Sequence, residues 1–373
     1  MNILFIVSED WYFLSHRLPL ALNAIDHGIK VSLLCNCTKK KEIIESYGIN
    51  VIDWHLNRKS NSLFSSLKSI MEIYATIKKL KPTLVHAVAI KPILFTSIVT
   101  KIIGYKNNVY AFGGLGYIFS SKSIYASFVK LIIASLFRIF ALKKSTLIFQ
   151  NKDDKELFRS LGLINDNDTH IIEGSGVNTS SFNYNPINFL EPQKVVLPAR
   201  MLWDKGIQDF VDCARQIKKK FRARFILVGA PDYHNPEAVP PKIIKKWEKE
   251  GIIEWWGHQT DMFDIYKKST IICLPSYREG LPKVLIEACS VGRPVISYDV
   301  PGCREVIKNN VNGFLIPFQN ISLFADSICK LLKDEKICVQ FGKKGRELVE
   351  EKFSEKIVTS KIFSLWQKKM LDK

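Results

Sequence analysis

Residues 276–292, Ser276-Tyr-Arg-Glu-Gly-Leu-Pro-Lys-Val-Leu-Ile-Glu-Ala-Cys-Ser-Val-Gly292, decide the fold of this chain, because they join a buried strand to a helix through a carboxylate-bearing, glycine-containing loop. Upstream, Thr270-Ile-Ile-Cys-Leu274 is an apolar run that reads as a fully buried parallel strand. Pro282 to Val291 reads as the following helix, with Pro282 at the first helical position, where its missing N–H costs nothing. The turn therefore lies at the carboxyl end of a strand, where open α/β sheets bind ligands. Glu279 stands in the loop and Glu287 about a turn and a half into the helix, so the two carboxylates reach opposite ends of one extended ligand.

The backbone N–H groups of Gly280, Leu281 and Lys283 lie at or just before the helix N-terminus, where unpaired donors and the helix dipole favour an anion such as a diphosphate. An anion between two glutamates needs cations. Leu197-Pro-Ala-Arg-Met-Leu-Trp-Asp-Lys-Gly206, which follows another apolar strand, offers Arg200 and Lys205.

Working outward, apolar strands alternate with amphipathic helices over the first half: strands 2–7, 30–35, 50–54, 83–87 and 108–112, helices 15–27, 39–47, 63–80 and 91–103. This is a doubly wound βα pattern. A short strand at Thr146–Gln150 and a helix at Asp153–Leu161 follow. The segment 183–193, with Pro186 and Pro192, reads as a linker, and a second alternation has strands at 194–198, 223–228, 252–255, 270–274 and 294–297. A chain of 373 residues has length for about two such domains. The expected division is 1–182, linker 183–193, 194–352, and a terminal segment 353–373.

The apolar fraction of 47% is ordinary for a soluble protein, but the net charge of +18 is not. After Glu72 no acid occurs until Asp153, while Lys78, Lys79, Lys81, Lys91, Lys101, Lys106, Lys122, Lys130, Arg138, Lys143, Lys144 and Lys152 fall between. A one-signed surface of this kind attracts nucleic acid or anionic lipid. Within it, Ile124–Leu142 is apolar nearly all round yet carries Lys130 and Arg138, which is too much charge for a membrane span. Two readings stand: a helix docked in the membrane interface, or a domain helix whose basic side chains snorkel out. No helix-turn-helix, zinc or aromatic-repeat signature supports a nucleic-acid partner, which is the remote alternative.

The eight cysteines follow no zinc spacing, and Cys35-Asn-Cys37 is their only close pair. They read as small core residues in a reducing compartment. Asn2-Ile-Leu-Phe-Ile-Val7 is short and followed by Glu9 and Asp10, so it reads as a first strand and not a signal peptide. The expected location is the cytoplasm, at the inner face of the plasma membrane. Asp166-Asn-Asp168 reads as a turn, and no metal site or cofactor is expected.

The paired motifs at 197–206 and 279–288 resemble the retaining glycosyltransferases of family 4, which carry two glutamates in a Glu-Gly-(Leu/Phe)-Pro…Glu-Ala setting after an Arg-Leu…Lys-Gly. The resemblance implies the GT-B fold, an α/β architecture of two Rossmann-like doubly wound domains facing a central cleft. It also implies a final helix that returns to the first domain, and Glu173-Gly-Ser-Gly-Val-Asn178 resembles the family's Gly-Val-Asp/Asn where that domain ends.

Carried over residue by residue, Arg200 and Lys205 would neutralise the diphosphate of a nucleotide sugar, expected to be a UDP-hexose or UDP-N-acetylhexosamine. Glu287 would accept hydrogen bonds from the ribose, Glu279 would face the donor sugar, and the amides of Gly280 and Leu281 would hold the leaving phosphate. Base contacts would fall around Gly257 and His258. Fixed cations and amides of this kind stabilise a departing diphosphate without a metal.

Three stretches resemble the subgroup that extends polyprenyl-diphosphate-linked saccharides: Phe13-Leu-Ser-His-Arg-Leu-Pro19, Leu84-Val-His-Ala-Val-Ala-Ile-Lys-Pro92 and Phe112-Gly-Gly-Leu-Gly-Tyr117. They nominate His16, Arg17, His86, Lys91, Gly113, Gly114 and Gly116 for the acceptor side. A glycine-rich loop after the first strand is absent, as is a histidine after the fifth, so no general base is assigned. The expected partners are a nucleotide sugar, a polyprenyl-diphosphate-linked acceptor and an anionic membrane surface met by the basic first domain. A GT-B enzyme with a soluble acceptor is the alternative.

Overall fold

The computed structural model describes residues 1–373 except 57–62, 116–123, 141–144, 190–191, 233–234 and 372–373, and leaves aside the side chains of 63, 124–127 and 371. The chain divides into two units, Met1–Ser175 with Lys356–Lys373, and Gly176–Glu355.

The first unit is built on strands β1 (Asn2–Glu9), β2 (Lys30–Asn36), β3 (Asn50–Asp53), β4 (Leu84–Val88), β5 (Asn108–Phe112), β6 (Thr146–Phe149) and β7 (Thr169–Ile171). All are parallel, in the order β3-β2-β1-β4-β5-β6-β7. The order reverses between β1 and β4, so the crevice outside their carboxyl ends is a topological switch point. Side chains alternate across the sheet. Phe5, Leu84 and Val88 pack with the C-terminal helix on one face, while Leu4, Ile6, Val85 and Ala87 pack with helices Leu63–Leu80, Ile90–Ile103 and Ile124–Ile139 on the other.

The region after β1 differs from expectation. Instead of a loop over 8–14 and a helix from 15, β1 runs to Glu9 and a helix begins at once, Asp10–His16, followed after Arg17 by Leu18–Asp26. Pro19 sits in the first turn of the second helix, and its missing N–H and ring prevent one continuous helix. The buried Asp10 carboxylate accepts the Thr38 and Lys40 N–H groups and the Thr38 hydroxyl, at 2.6, 3.1 and 2.8 Å. Burial opposes the charge, yet the bonds from Thr38, Lys40 and Trp11 hold the carboxyl below its usual range.

The second unit carries β8 (Gln193–Pro198), β9 (Ala223–Val228), β10 (Glu254–Trp255), β11 (Ile271–Leu274), β12 (Val295–Tyr298) and β13 (Gly313–Ile316). They are parallel, in the order β10-β9-β8-β11-β12-β13, which puts a switch point between β8 and β11. The four-residue β13, which is not among the strands named from sequence, closes one edge.

Residues 183–193, read from sequence as a linker, lie within the second unit. Asn185 N–H donates to the Val291 carbonyl, and the buried Arg293 guanidinium donates to the carbonyls of Asn185 and Ser269. Burial lowers the Arg293 pKa to about 10. The terminal helix Glu355–Leu371 buries Val358, Ile362 and Trp366 in the core of the first unit.

Candidate functional site

Two loops meet at the second switch point because their backbones touch. Gly206 has φ +69°, and a Cβ there would lie 2.0 Å from the Pro275 carbonyl oxygen, so only glycine lets the loop after β8 rest on the loop after β11. Tyr277 N–H donates to the Asp204 carbonyl at 2.8 Å, and the Ser276 hydroxyl reaches the same oxygen at 3.3 Å. From the other side, a Cβ on Gly302, φ +81°, would lie 2.5 Å from the Gly280 carbonyl oxygen. The Tyr277 and Tyr298 hydroxyls both donate to the Asp209 carboxylate, at 3.2 and 2.7 Å. Burial raises the Asp209 pKa and these hydroxyls oppose the rise.

This frame brings Lys205 and Glu279 together: Lys205 Nζ is 2.6 Å from Glu279 Oε1, each side chain about one-seventh exposed (15%). Arg200 is more open and pairs with Asp232, Nη1 to Oδ2 3.0 Å. Glu287 is buried; its Oε2 accepts the Tyr266 hydroxyl at 2.9 Å and its Oε1 lies 3.7 Å from Lys283 Nζ. Burial raises the Glu287 pKa, with the Lys283 ammonium opposing the rise. Pro282 is the N-cap, and the helix runs Lys283–Ser290, so the expected proline at the first helical position moves back by one. Lys283 thus opens the helix, one turn before Glu287.

The other donor-side candidates flank this pair. Gly257, at φ +65° after β10, accepts the Gly229 N–H at 2.7 Å, and His258 beside it is exposed. Gly229 in turn packs on the loop after β8, where a Cβ would meet the Ala199 carbonyl oxygen at 1.9 Å. The carboxyl ends of β8, β9 and β10 are thus stitched together through main chain.

In the first unit the acceptor-side candidates fall at the carboxyl ends of the neighbouring strands β1, β4 and β5. At the carboxyl ends of β1 and β5, the His16 imidazole stacks on Tyr12 with ring centroids 4.3 Å apart, and a Cβ on Gly113 would lie 2.8 Å from the Tyr12 hydroxyl. Gly114 follows at φ +117°, while Gly116 lies outside the described residues. At the carboxyl end of β4, Lys91 opens helix Ile90–Ile103; burial lowers its pKa, and its ammonium stands 5.9 Å from the Phe95 ring. The residue before that helix, Ala89, holds φ +76° and ψ 157°, a conformation costly for any residue with a Cβ.

His86 requires a correction. It is fully buried on the Leu84 and Val88 face of β4, between Phe5 and Trp366, and cannot meet a ligand directly. Its Nδ1 accepts the Trp366 Nε1–H at 3.1 Å, so the neutral ring carries its proton on Nε2, which has no partner among the described residues. Burial, and then the nearby Arg17 cation, hold its pKa well below the usual histidine range. Arg17 is itself 2% exposed, and its Nε has no hydrogen-bond partner among the described residues.

Sequence reasoning missed Tyr266, Asp209, Tyr12 and the side chain of Lys283, of which it considered only the backbone N–H. Only Lys283 left a signal, in its spacing of four from Glu287.

Residues 2–152 match the family model described as Glycosyl transferase 4-like, and residues 184–348 match Glycosyl transferases group 1. A relative from Campylobacter jejuni, N,N'-diacetylbacillosaminyl-diphospho-undecaprenol alpha-1,3-N-acetylgalactosaminyltransferase, is 25% identical over 95% of this chain and 98% of its own. The Escherichia coli UDP-Gal:alpha-D-GlcNAc-diphosphoundecaprenol alpha-1,3-galactosyltransferase is 25% identical over 74% of this chain and 72% of its own. Among solved structures, Anabaena HepE in complex with UDP superposes with a TM-score of 0.80 at 16% identity, over 99% of this chain and 100% of that one. With both parallel-sheet units matched to glycosyltransferase models, the chain belongs to the glycosyltransferases of family 4 with the GT-B fold.

Proposed function

We propose that this glycosyltransferase moves a hexose or N-acetylhexosamine, with retention of anomeric configuration, from a UDP-sugar to a polyprenyl-diphosphate-linked saccharide. The observation that carries the donor half is the Lys205–Glu279 pair at the switch point of β8 and β11. An incoming diphosphate takes Lys205 from Glu279 and frees the carboxylate to accept hydrogen bonds from the donor sugar's hydroxyls. Arg200 and the amides of Gly280 and Leu281 complete the diphosphate site, Glu287 receives the ribose hydroxyls, and Gly257 and His258 border the base.

The bond between the anomeric carbon and the phosphate oxygen breaks with its electron pair going to the leaving UDP. Fixed cations and amides stabilise that charge, and no metal is required. The acceptor hydroxyl bonds to the anomeric carbon on the face just vacated. Its proton passes to the leaving phosphate oxygen, so no protein base is needed.

The acceptor half rests on the three stretches around His16–Arg17, Lys91 and Gly113–Gly116, and on the two relatives named as acting on diphosphoundecaprenol-linked sugars. The product would enter assembly of a bacterial surface polysaccharide or glycan. The test incubates the purified chain with a panel of nucleotide sugars and a short-chain prenyl-diphosphate-linked N-acetylhexosamine, and reads the product anomer by NMR. An α-linked product from a UDP-α-sugar is expected. Equal transfer to the same saccharide without its diphosphate lipid would instead favour a soluble acceptor, and an inverted product would sink the retaining mechanism.

A further inference from the structure

Helix Leu63–Leu80 buries Ile73 and Ile77 but turns Phe64, Leu67, Met71 and Tyr74 outward, with exposures of 81%, 58%, 69% and 42%. Spacings of three and four residues put these on one continuous stripe, opposite the face that packs on the sheet. Helix Ile124–Ile139 repeats the arrangement. It buries Ala134 and Phe137 and exposes Phe128, Leu131, Ile132 and Ile139 by 44–62%. Helix Ile90–Ile103 packs against both, and its Ile102 is also exposed, so the stripes flank one helical layer on one face of the first unit's sheet. A lone exposed leucine is ordinary, but two aligned stripes of long apolar side chains mark an interaction surface.

The charge on this layer says what it meets. Lys68, Lys78, Lys79, Lys101 and Arg138 are exposed along the same helices, and no acid occurs between Glu72 and Asp153. Glu72 itself is engaged by His55, whose N–H and Nδ1 lie 3.0 and 3.1 Å from its carboxylate oxygens. Lys78 Nζ stands 5.8 Å from the Tyr74 ring, beside the stripe. A second copy of the chain would bring the same cations against these. An anionic bilayer offers apolar depth for the stripes and phosphate for the lysines. Among the described residues no helix is long and apolar enough to cross a membrane.

We propose that the stripes of helices Leu63–Leu80 and Ile124–Ile139, with their lysine fringe, dock the protein on the anionic face of a lipid bilayer. This rests on the reading that the acceptor is lipid-linked, and it assigns the surface that reaches that acceptor's membrane. Long apolar side chains enter the headgroup boundary while the lysines stay at phosphate level.

The full chain is sedimented with acceptor-free vesicles of phosphatidylcholine, with and without phosphatidylglycerol. Partition onto the phosphatidylglycerol vesicles is expected to exceed that onto phosphatidylcholine by about tenfold and to fall in about 0.5 M salt. Phe64→Glu with Met71→Glu, and separately Phe128→Glu with Leu131→Glu, are expected to cut partition about tenfold. Transfer to a water-soluble short-chain acceptor should stay within about twofold of the parent. A third variant, Lys78→Gln with Lys79→Gln and Lys101→Gln, leaves the stripes intact and is expected to remove the preference for phosphatidylglycerol. A parent that binds neither vesicle, or glutamate variants that bind as the parent does, would overturn the proposal. So would a stripe-dependent dimer in sedimentation velocity without vesicle binding. A parent that binds vesicles but transfers no sugar to a lipid-linked acceptor would support the surface and refute the substrate reading.

Discussion

Lys205 Nζ and Glu279 Oε1 lie 2.6 Å apart although 74 residues separate them in the chain, and the loops that bear them are joined by main-chain contact. An ion pair this shielded holds its cation in place until a stronger anion arrives. In the function proposed above a diphosphate is that anion, and its arrival releases Glu279 toward the donor sugar. Lys205→Met is expected to lower kcat/KM by about a hundredfold or more, and Glu279→Ala to remove most activity. Arg200→Ala, which loses a more exposed cation, should cost less. Steady-state kinetics with the preferred donor decides it: parent-like rates for Arg200→Ala and Lys205→Ala together would remove the diphosphate assignment.

Glu287 is expected to act in binding more than in turnover. Glu287→Ala should weaken UDP-sugar binding by roughly tenfold or more with a smaller effect on kcat, since one charge-assisted hydrogen bond is worth about 1.5–3 kcal/mol. In the proposed complex ribose hydroxyls would donate to the ionised carboxylate, and burial has raised the Glu287 pKa. Affinity should therefore fall as pH drops from neutral, earlier than for an ordinary carboxylate, and Glu287→Gln should flatten that dependence. Calorimetric titration of UDP across pH reads both effects.

His86 ties stability to pH. Its folded pKa lies well below the usual 6.5, so the unfolded chain binds a proton that the folded one refuses. Stability is therefore full above the unfolded pKa and lost as pH falls through it, by at most about 1.4 kcal/mol per pH unit from this one group. His86→Gln, which retains an acceptor for Trp366 Nε1, is expected to remove that component. Denaturant midpoints of parent and variant between about pH 5 and pH 7 should converge at the acid end.

Ala89 holds a backbone conformation that glycine adopts freely, at φ +76° and ψ 157°. Ala89→Gly is expected to stabilise the protein by about 1 kcal/mol despite the greater freedom of glycine in the unfolded chain. The opposite change at Gly206, Gly206→Ala, forces a methyl against the Pro275 carbonyl and should destabilise by about 2 kcal/mol or more. Paired urea melts test both.

The strand-end loop proposed as the donor site was legible as a fold element because its signals are local. An apolar strand, a glutamate, a glycine and a proline within a short stretch specify a strand-end loop and a helix start, and β8 and β11 lie where such runs stand. What local pattern does not carry is pairing between distant segments. That Lys205 bonds Glu279, and that Tyr266 bonds Glu287, depends on which strands are neighbours. His86 was misjudged for the same reason. Its face of β4 is known only once β1 and the C-terminal helix are in place. The helix Asp10–His16 has too short a period to distinguish it from a loop. Helix Leu63–Leu80 shows the limit most plainly: two apolar stripes run along it, and periodicity cannot say which one the sheet covers.

Gly206 on Pro275, Tyr277 N–H on the Asp204 carbonyl and Gly302 on Gly280 hold the proposed donor loops through backbone atoms, not through the side chains of Lys205 and Glu279. Scaffold and selectivity are therefore separable. Substitutions at Arg278, Leu281 or Lys283 leave those three contacts intact. The loop can be diversified while Lys205 and Glu279 stay in register, which makes Arg278 and Leu281 the positions at which to begin redirecting the enzyme to a new donor.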